Sequence, residues 1–310
     1  MRTALLLWCL LAWRAGAEEA VTFTDLTWHD AARDRDVPVR IYAPGSQAGP
    51  LPVLFFSHGL GGSREGYAYL GRYWAAHGYL SVHVQHLGSD AALLHSPLEL
   101  KAAMANPKNY IDRPRDISFA IDQVAALNAA PGPWQGRFDL SRIGAAGHSF
   151  GAYTTMALAG ETFASHRNPA LDHVADPRVK AVVAMSLPHI DGQQFSGIHQ
   201  PAFHFTGTED RGRLREEDPK DRRAVFDGSS GPDTYLAVFQ GGDHMVFSGR
   251  PRLMRQGGKG DHDADFQRLV CEGTTAFWDA YLKADARAKQ WLAGGGFTQA
   301  LGSLGAFEQK

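Results

Sequence analysis

The chain has 310 residues, of which 44% are hydrophobic and 21% are charged. This balance is typical of a globular protein and excludes a disordered or fibrous chain. The formal net charge is -2 and there is no long basic run, so nucleic acid is not expected as a partner. An α/β domain of this length can bury a complete core, and we expect residues 18–310 to form a single domain.

The first residues have the pattern of a secretory signal. Arg2 provides a positive charge, residues 4–13 form an apolar stretch too short to span a bilayer, and residues 15–17 have the small-x-small form of a cleavage site. We therefore expect residues 1–17 to be a signal peptide that is cleaved near Ala17. The mature protein would be secreted or periplasmic and would have no stable membrane span. An uncleaved N-terminal anchor is the alternative interpretation.

Removal of that segment leaves one cysteine, Cys271, so the mature chain cannot form an intramolecular disulfide. Cys271 falls in a predicted helix and is expected to be packed. The spacing of His83, His86 and His95 fits no compact ligand motif, so no metal is expected there.

The predicted elements begin with an exposed antiparallel strand at residues 21–28 and its neighbouring strand at residues 37–42. From residue 53 onward, continuous apolar runs typical of strands buried on both faces alternate with helical patterns. The predicted strands are residues 53–56, 80–84, 142–146, 179–185, 202–206 and 234–239, and the predicted helices are residues 64–77, 116–127, 149–159 and 265–283, the last closing the fold. Such alternation predicts an α/β fold in which helices cover both faces of a mainly parallel, doubly wound sheet.

A Gly-x-Ser-x-Gly pentapeptide at residues 147–151 lies between a predicted strand and a predicted helix. This motif places a serine on a sharp, strained turn where its hydroxyl projects over the sheet edge, and side chains at the flanking positions would collide with neighbouring elements. Ser149 is therefore the predicted nucleophile, and the motif in this strand–helix context predicts an α/β-hydrolase fold. Acyl transfer also needs donors for the oxyanion. The amide of Phe150 and, in the glycine-rich loop after the first buried strand, the amide of Leu60 are the predicted donors.

A serine hydroxyl needs a base to remove its proton, and in this fold the chain order is Ser, then Asp or Glu, then His. The base is expected between the last strand and the closing helix, where only His244 and His262 occur. His244 follows the strand directly and is favoured, whereas His262 lies in a charged stretch that is expected to be solvated.

The acid is expected after the strand at residues 202–206. Asp210 is favoured because the loop has turned back toward the sheet edge by that point, and Glu209 remains an alternative. Asp191, after the preceding strand, is a third candidate. Asp243 is expected to serve hydrogen bonds of its own loop. The role of the acid is to orient the imidazole and stabilise its charged form.

These motifs together resemble the dienelactone-hydrolase-like esterases and the platelet-activating-factor acetylhydrolases. The resemblance covers about residues 37–282, and it implies a serine triad, an oxyanion hole at Leu60 and Phe150, no metal or other cofactor, and ester substrates. Dienelactone hydrolases proper use a cysteine where this chain has Ser149, so that activity is not expected. Exported polyester hydrolases share the outline but usually carry disulfides, which this mature chain cannot form.

The leading expectation is a serine carboxylic ester hydrolase that forms an acyl-enzyme on small-molecule or lipid-like esters. Short to medium acyl groups are expected, because no large lid domain is inserted. The alternatives are an exported peptidase of the same fold, an acetylhydrolase acting on phospholipid-type esters, and a non-catalytic binding protein. Residues 88–111 could form a cover over the site or simply pack on the body. The sequence leaves the oligomeric state open.

Overall fold

A computed structural model describes residues 21–46, 49–163, 174–212, 218–250 and 260–310. The predicted signal peptide and its cleavage site at Ala17 lie outside these residues. Within the described part of the chain, no helix is long and apolar enough to cross a membrane.

A nine-stranded sheet forms the centre of the described structure. Its strands are β1 (Val21–Asp30), β2 (Arg35–Pro44), β3 (Leu51–Ser57), β4 (Leu80–Val84), β5 (Phe138–His148), β7 (Val179–Met185), β9 (Ala202–Glu209), β10 (Thr234–Asp243) and β11 (Gly305–Gln309). The order across the sheet is β1-β2-β4-β3-β5-β7-β9-β10-β11. The six strands from β4 to β10 are parallel, whereas β1, β2 and β11 are antiparallel to their neighbours. A separate small sheet pairs β6 (Thr162–Phe163) with β8 (Gln193–Gln194).

Helices cover both faces of this sheet. They are α1 (Ala68–Ala76), α2 (Pro97–Ala105), α3 (Pro107–Ala129), α4 (Phe150–Ala159), α5 (Ala224–Gly228), α6 (Asp263–Leu282), α7 (Ala286–Ala293) and α8 (Gly296–Leu301). One buried cluster includes residues of α3 and α4, and a second includes residues of α1, α6 and α8. The predicted α/β-hydrolase fold, with a mainly parallel sheet between two helical layers, is confirmed.

Two helices begin more than two residues away from their predicted starts. Helix α1 begins at Ala68 and not at residue 64, because Tyr67 adopts a left-handed backbone conformation with φ 59°. Helix α3 begins at Pro107, nine residues before the predicted start at residue 116. Pro107 occupies its first turn, and the side chain of Asn106 accepts a hydrogen bond from the amide of Lys108. A proline in the first turn and an asparagine cap are favourable starts for a helix.

The helix predicted to close the fold does not do so. After α6 the chain forms α7 and α8 and returns to the sheet as β11, which pairs antiparallel with β10. Cys271 lies in α6 and is buried, as expected, and burial raises the pKa of its thiol to about 12. This sulfhydryl therefore stays protonated near neutral pH.

Candidate active site

Ser149 lies on the sharp turn between β5 and α4. Its backbone has φ 54° and ψ -119°, a strained conformation for a residue with a side chain. A Cβ added at Gly147 would lie 2.1 Å from the carbonyl oxygen of Gly151, and one added at Gly151 would lie 1.8 Å from that of Ser57. Both glycines are thus required for the turn to pack against its neighbours.

The structure brings Ser149, His244 and Asp210 into one hydrogen-bonded chain. His244 Nε2 lies 3.0 Å from Ser149 Oγ, and His244 Nδ1 lies 2.8 Å from Asp210 Oδ1. A carboxylate only accepts hydrogen bonds, so Nδ1 carries the proton. With the proton on Nδ1, the lone pair of Nε2 faces the serine hydroxyl, which is the arrangement that a general base needs.

The carboxyl group of Asp210 is held in its ionised form by its partners. Arg222 Nε lies 3.0 Å from Asp210 Oδ1, and the hydroxyls of Ser186 and Thr206 donate to Asp210 Oδ2. Burial alone would raise the pKa of this group. The charge of Arg222 and the hydrogen bond from His244 outweigh it and lower the pKa of Asp210 to about 2.

The other carboxylates considered are exposed or serve their own turn. Glu209 and Asp191 are exposed, and Asp243 accepts a hydrogen bond from the amide of Met245 in its own turn at 2.8 Å. His262, the alternative base, is half-exposed, and its ring nitrogen lies 3.3 Å from Asp265. Of these candidates, only Asp210 lies next to the base that faces Ser149.

Leu60 and Phe150 border the same pocket as Ser149 and His244. Phe150 is the first residue of α4, where amide groups have no partner within the helix. Among the described residues, neither the Leu60 nor the Phe150 amide donates to a protein acceptor. Both are therefore available to an oxyanion, and the positive end of α4 favours negative charge at this point.

A chain of hydrogen bonds connects the Leu60 loop to the loop that carries the base. His148 Nε2 lies 2.8 Å from the carbonyl oxygen of His244, which only accepts, so Nε2 carries the proton. Burial lowers the pKa of His148 well below its ordinary value, so the ring is neutral and its Nδ1 accepts from the Tyr67 hydroxyl at 2.7 Å. The Tyr67 oxygen in turn accepts from the amide of Gly59 at 3.3 Å. We name these contacts the Tyr67–His148 relay.

A fully buried arginine, Arg113, forms hydrogen bonds with the start of the same glycine-rich loop. Its guanidinium donates to the carbonyl oxygen of His58 and to Ser57 Oγ at 3.1 Å, and it lies 4.5 Å from the ring centre of Phe150. Burial lowers the pKa of Arg113 to about 9, so the side chain remains a cation near neutral pH. Its positive charge thus lies next to the start of the loop that contains Leu60 and next to the ring of Phe150.

Arg113 also contacts a second serine–histidine–aspartate array, because it donates to the hydroxyl of Ser57. Ser57 Oγ is 2.8 Å from His86 Nε2, and His86 Nδ1 is 3.0 Å from Asp116 Oδ2. All three residues are buried, and Asp116 is also bonded to Arg33 and Arg35. Because no substrate can reach this hydroxyl, the array is structural, and its side chains connect β3, the loop after β4 and α3.

A pocket of about 520 Å³ opens next to Ser149. Leu94, Leu100 and Met104 border it and belong to the segment at residues 88–111, which contains α2 and the start of α3. That segment therefore covers one side of the pocket and gives it an apolar wall.

Several supporting residues had no signal in the sequence. Tyr67 and His148 are 81 positions apart. Ser186 lies beside Asp210 because β7 and β9 are neighbours, and Arg222 does so because the turn at residues 219–223 packs against β9. His148 was visible as the x of the pentapeptide, but its role follows from contacts that no local pattern contains. Within the described ranges, no group of three or more His, Cys, Asp or Glu residues is arranged to hold a metal ion.

The strand order, the strained serine turn and the position of the histidine after β10 define a chain of the α/β-hydrolase class, in which Ser149, His244 and Asp210 are hydrogen-bonded in series. Comparison with known proteins finds similarity to the platelet-activating factor acetylhydrolases. A family model described as platelet-activating factor acetylhydrolase, isoform II, matches residues 19–113. The platelet-activating factor acetylhydrolase of Cavia porcellus is 23% identical over 295 residues, which cover 82% of this chain and 63% of that protein. The predicted resemblance to platelet-activating-factor acetylhydrolases is confirmed, and the chain spans less than two thirds of the length of this relative.

Proposed function

We propose that this protein is a serine carboxylic ester hydrolase that works through an acyl-enzyme. The observation that carries the proposal is the hydrogen-bonded chain from Ser149 through His244 to Asp210 beside an open pocket. The resemblance to an acetylhydrolase supports the same reaction class.

In the acylation step, Ser149 Oγ attacks the ester carbonyl carbon while His244 Nε2 takes the hydroxyl proton. The carbonyl oxygen becomes an oxyanion that accepts hydrogen bonds from the amides of Leu60 and Phe150. When the carbon–oxygen bond to the alcohol breaks, Nε2 returns its proton to the departing alkoxide. Asp210 stays ionised and stabilises the imidazolium throughout.

In the deacylation step, water replaces the alcohol. His244 Nε2 takes a proton from the water as its oxygen attacks the acyl carbon, and the same two amides hold the second oxyanion. Collapse of this intermediate breaks the bond to Ser149 Oγ, which regains its proton from Nε2, and the carboxylic acid is released.

The substrates are proposed to be esters with short to medium acyl groups, and an acetylhydrolase that acts on phospholipid-type esters is the alternative. The segment between β4 and α3 covers the pocket with the nine residues of α2 and one short turn, and the pocket measures about 520 Å³. This small cover and volume favour short to medium acyl groups. The printed name of the relative, an acetylhydrolase, favours the shortest acyl group.

A chain-length series of nitrophenyl esters tests this proposal with the wild type, Ser149→Ala and His244→Ala. We expect a burst of nitrophenol equal to the enzyme concentration with activated esters, maximal kcat/KM at short to medium acyl chains, and loss of turnover by about 10³-fold or more in either variant. Wild-type turnover by Ser149→Ala would contradict the mechanism, and a clear optimum at long chains would contradict the substrate range.

We further propose that the protein is exported and that residues 18–310 form its single mature domain. The support is the pattern of Arg2, the apolar stretch at residues 4–13 and the small residues before Glu18. The intact mass of the protein recovered from a secreting host should correspond to a chain that begins at Glu18. A mass that includes residues 1–17 would contradict this proposal.

A further inference from the structure

Arg250 is a cation on the wall of the pocket that contains Ser149. It follows His244 by six residues on the same loop, and its position is set by short contacts of the backbone. The Arg250 amide donates to Ser248 Oγ at 3.2 Å, and Ser248 Oγ donates to the carbonyl oxygen of Met245 at 2.7 Å. The side chain is therefore presented to the pocket from a hydrogen-bonded turn.

Among the described residues, no carboxylate pairs with the guanidinium of Arg250. Its side-chain contact in the described structure is with the carbonyl oxygen of Gly61, at 3.5 Å, the limit for a hydrogen bond. No aspartate or glutamate occurs among the described residues that border the pocket. The sequence also contains no acidic residue from position 245 to position 260.

The other charged side chain on the pocket wall is already paired. Arg222 lies 3.0 Å from the buried carboxylate of Asp210 and donates to three backbone carbonyl groups nearby. Arg250 has no such partner among the described residues, so its guanidinium is available to bind a group that enters the pocket.

We propose that Arg250 binds an anionic group of the substrate, a carboxylate or a phosphate, during ester hydrolysis. This inference rests on the proposed function. A guanidinium presents a planar set of donors that suits the oxygens of both anions, and charge-assisted hydrogen bonds are stronger than neutral ones. Because Gly61 directly follows Leu60, the anionic group would lie on the same side of Ser149 as the glycine-rich loop. The preferred substrates are then esters that carry a negative charge beside the scissile bond.

Matched pairs of esters test this site. The acyl side is probed with mono-4-nitrophenyl glutarate against 4-nitrophenyl pentanoate. The alcohol side is probed with 4-acetoxybenzoate and 4-acetoxyphenyl phosphate against phenyl acetate, which separates carboxylate from phosphate. Each pair is measured with the wild type, Arg250→Gln and Arg250→Lys. Arg268→Gln is the control, because Arg268 is half-exposed on α6 and pairs with Glu272 at 3.0 Å.

We expect Arg250→Gln to lower kcat/KM by about 10- to 100-fold for at least one anionic ester, mainly through KM, and to change the neutral esters by less than about 2-fold. Arg250→Lys should retain part of the preference, and Arg268→Gln should retain all of it. Equal losses on neutral and anionic esters would overturn the proposal, because they would assign Arg250 to the oxyanion or to the fold. Unchanged rates on every ester would overturn it as well. In both cases, Ser149-dependent turnover of the neutral esters would leave the proposed hydrolase function intact.

Discussion

Replacing Tyr67 with phenylalanine tests the Tyr67–His148 relay directly. The substitution keeps the ring that packs 4.6 Å from the ring of Phe56 and removes only the hydroxyl. His148 Nδ1 then loses its donor and the Gly59 amide loses its acceptor, both in a buried setting. Leaving a buried polar group without a partner costs about 1–3 kcal/mol, so the two losses together should lower the free energy of unfolding by about 2–6 kcal/mol.

The same change should affect catalysis at two points. Gly59 precedes Leu60, so its amide contact positions one predicted oxyanion donor, while the proton on His148 Nε2 holds the backbone of His244. Small displacements of such groups are costly, and we expect kcat to fall by about 10- to 100-fold with KM changed by less than about 3-fold.

The assay is steady-state hydrolysis of 4-nitrophenyl acetate by Tyr67→Phe, with thermal unfolding measured on the same samples. Tyr235→Phe is the matched control, because its hydroxyl bonds that of Tyr281 at 2.7 Å near the opposite end of the sheet. That variant should lose stability while kcat stays within about 2-fold of the wild type. If Tyr67→Phe loses stability but retains wild-type kcat, the relay supports the fold and not the reaction.

Three further predictions concern the acid, the serine turn and a buried carboxyl group. Asp210→Asn should lower kcat by about 10³- to 10⁴-fold in ester hydrolysis, because the amide permits the wrong imidazole tautomer; a loss below about 10-fold would contradict its role. Gly151→Ala should yield little folded protein on purification, because its Cβ would meet the carbonyl oxygen of Ser57. Gly66→Ala is the control and should fold, because the nearest atom to its Cβ would be 3.3 Å away. A soluble, active Gly151→Ala would refute the close approach. Burial raises the pKa of Glu161 to about 8, so the wild type binds more protons folded than unfolded between about pH 4.5 and pH 8 and should lose stability as pH rises through that window. Glu161→Gln should remove roughly 3–5 kcal/mol of this pH dependence in denaturant unfolding, and an unchanged pH profile would contradict the assignment.

The parts of the fold that could be predicted from the sequence are those with local causes. The strands at residues 80–84 and 179–185 have the predicted bounds because each is a continuous apolar run, and runs of that kind form the buried strands of a parallel sheet. The strained serine turn was predictable because the two glycines at positions 147 and 151 have a local steric cause.

The parts that could not be predicted depend on tertiary contacts. The first turns of α3 contain Asp112 and Arg113, which are buried in a polar network, so the apolar spacing that marks a helix is missing there. Strand β11 has no strong apolar alternation and exists because β10 offers an edge for pairing. The choice between Glu209 and Asp210 depends on where β9 turns, and the structure has Glu209 exposed and Asp210 buried.

The most direct measurement on the central claim is the site of reaction with a phosphorylating inhibitor. The protein is incubated with diethyl 4-nitrophenyl phosphate, and the modified peptide is identified by tandem mass spectrometry, with Ser149→Ala as the control. The account predicts one diethylphosphoryl group per chain, attached to Ser149, together with complete loss of esterase activity. Modification of a different side chain with equal loss of activity, or an unlabelled Ser149 in an inactivated enzyme, would contradict it.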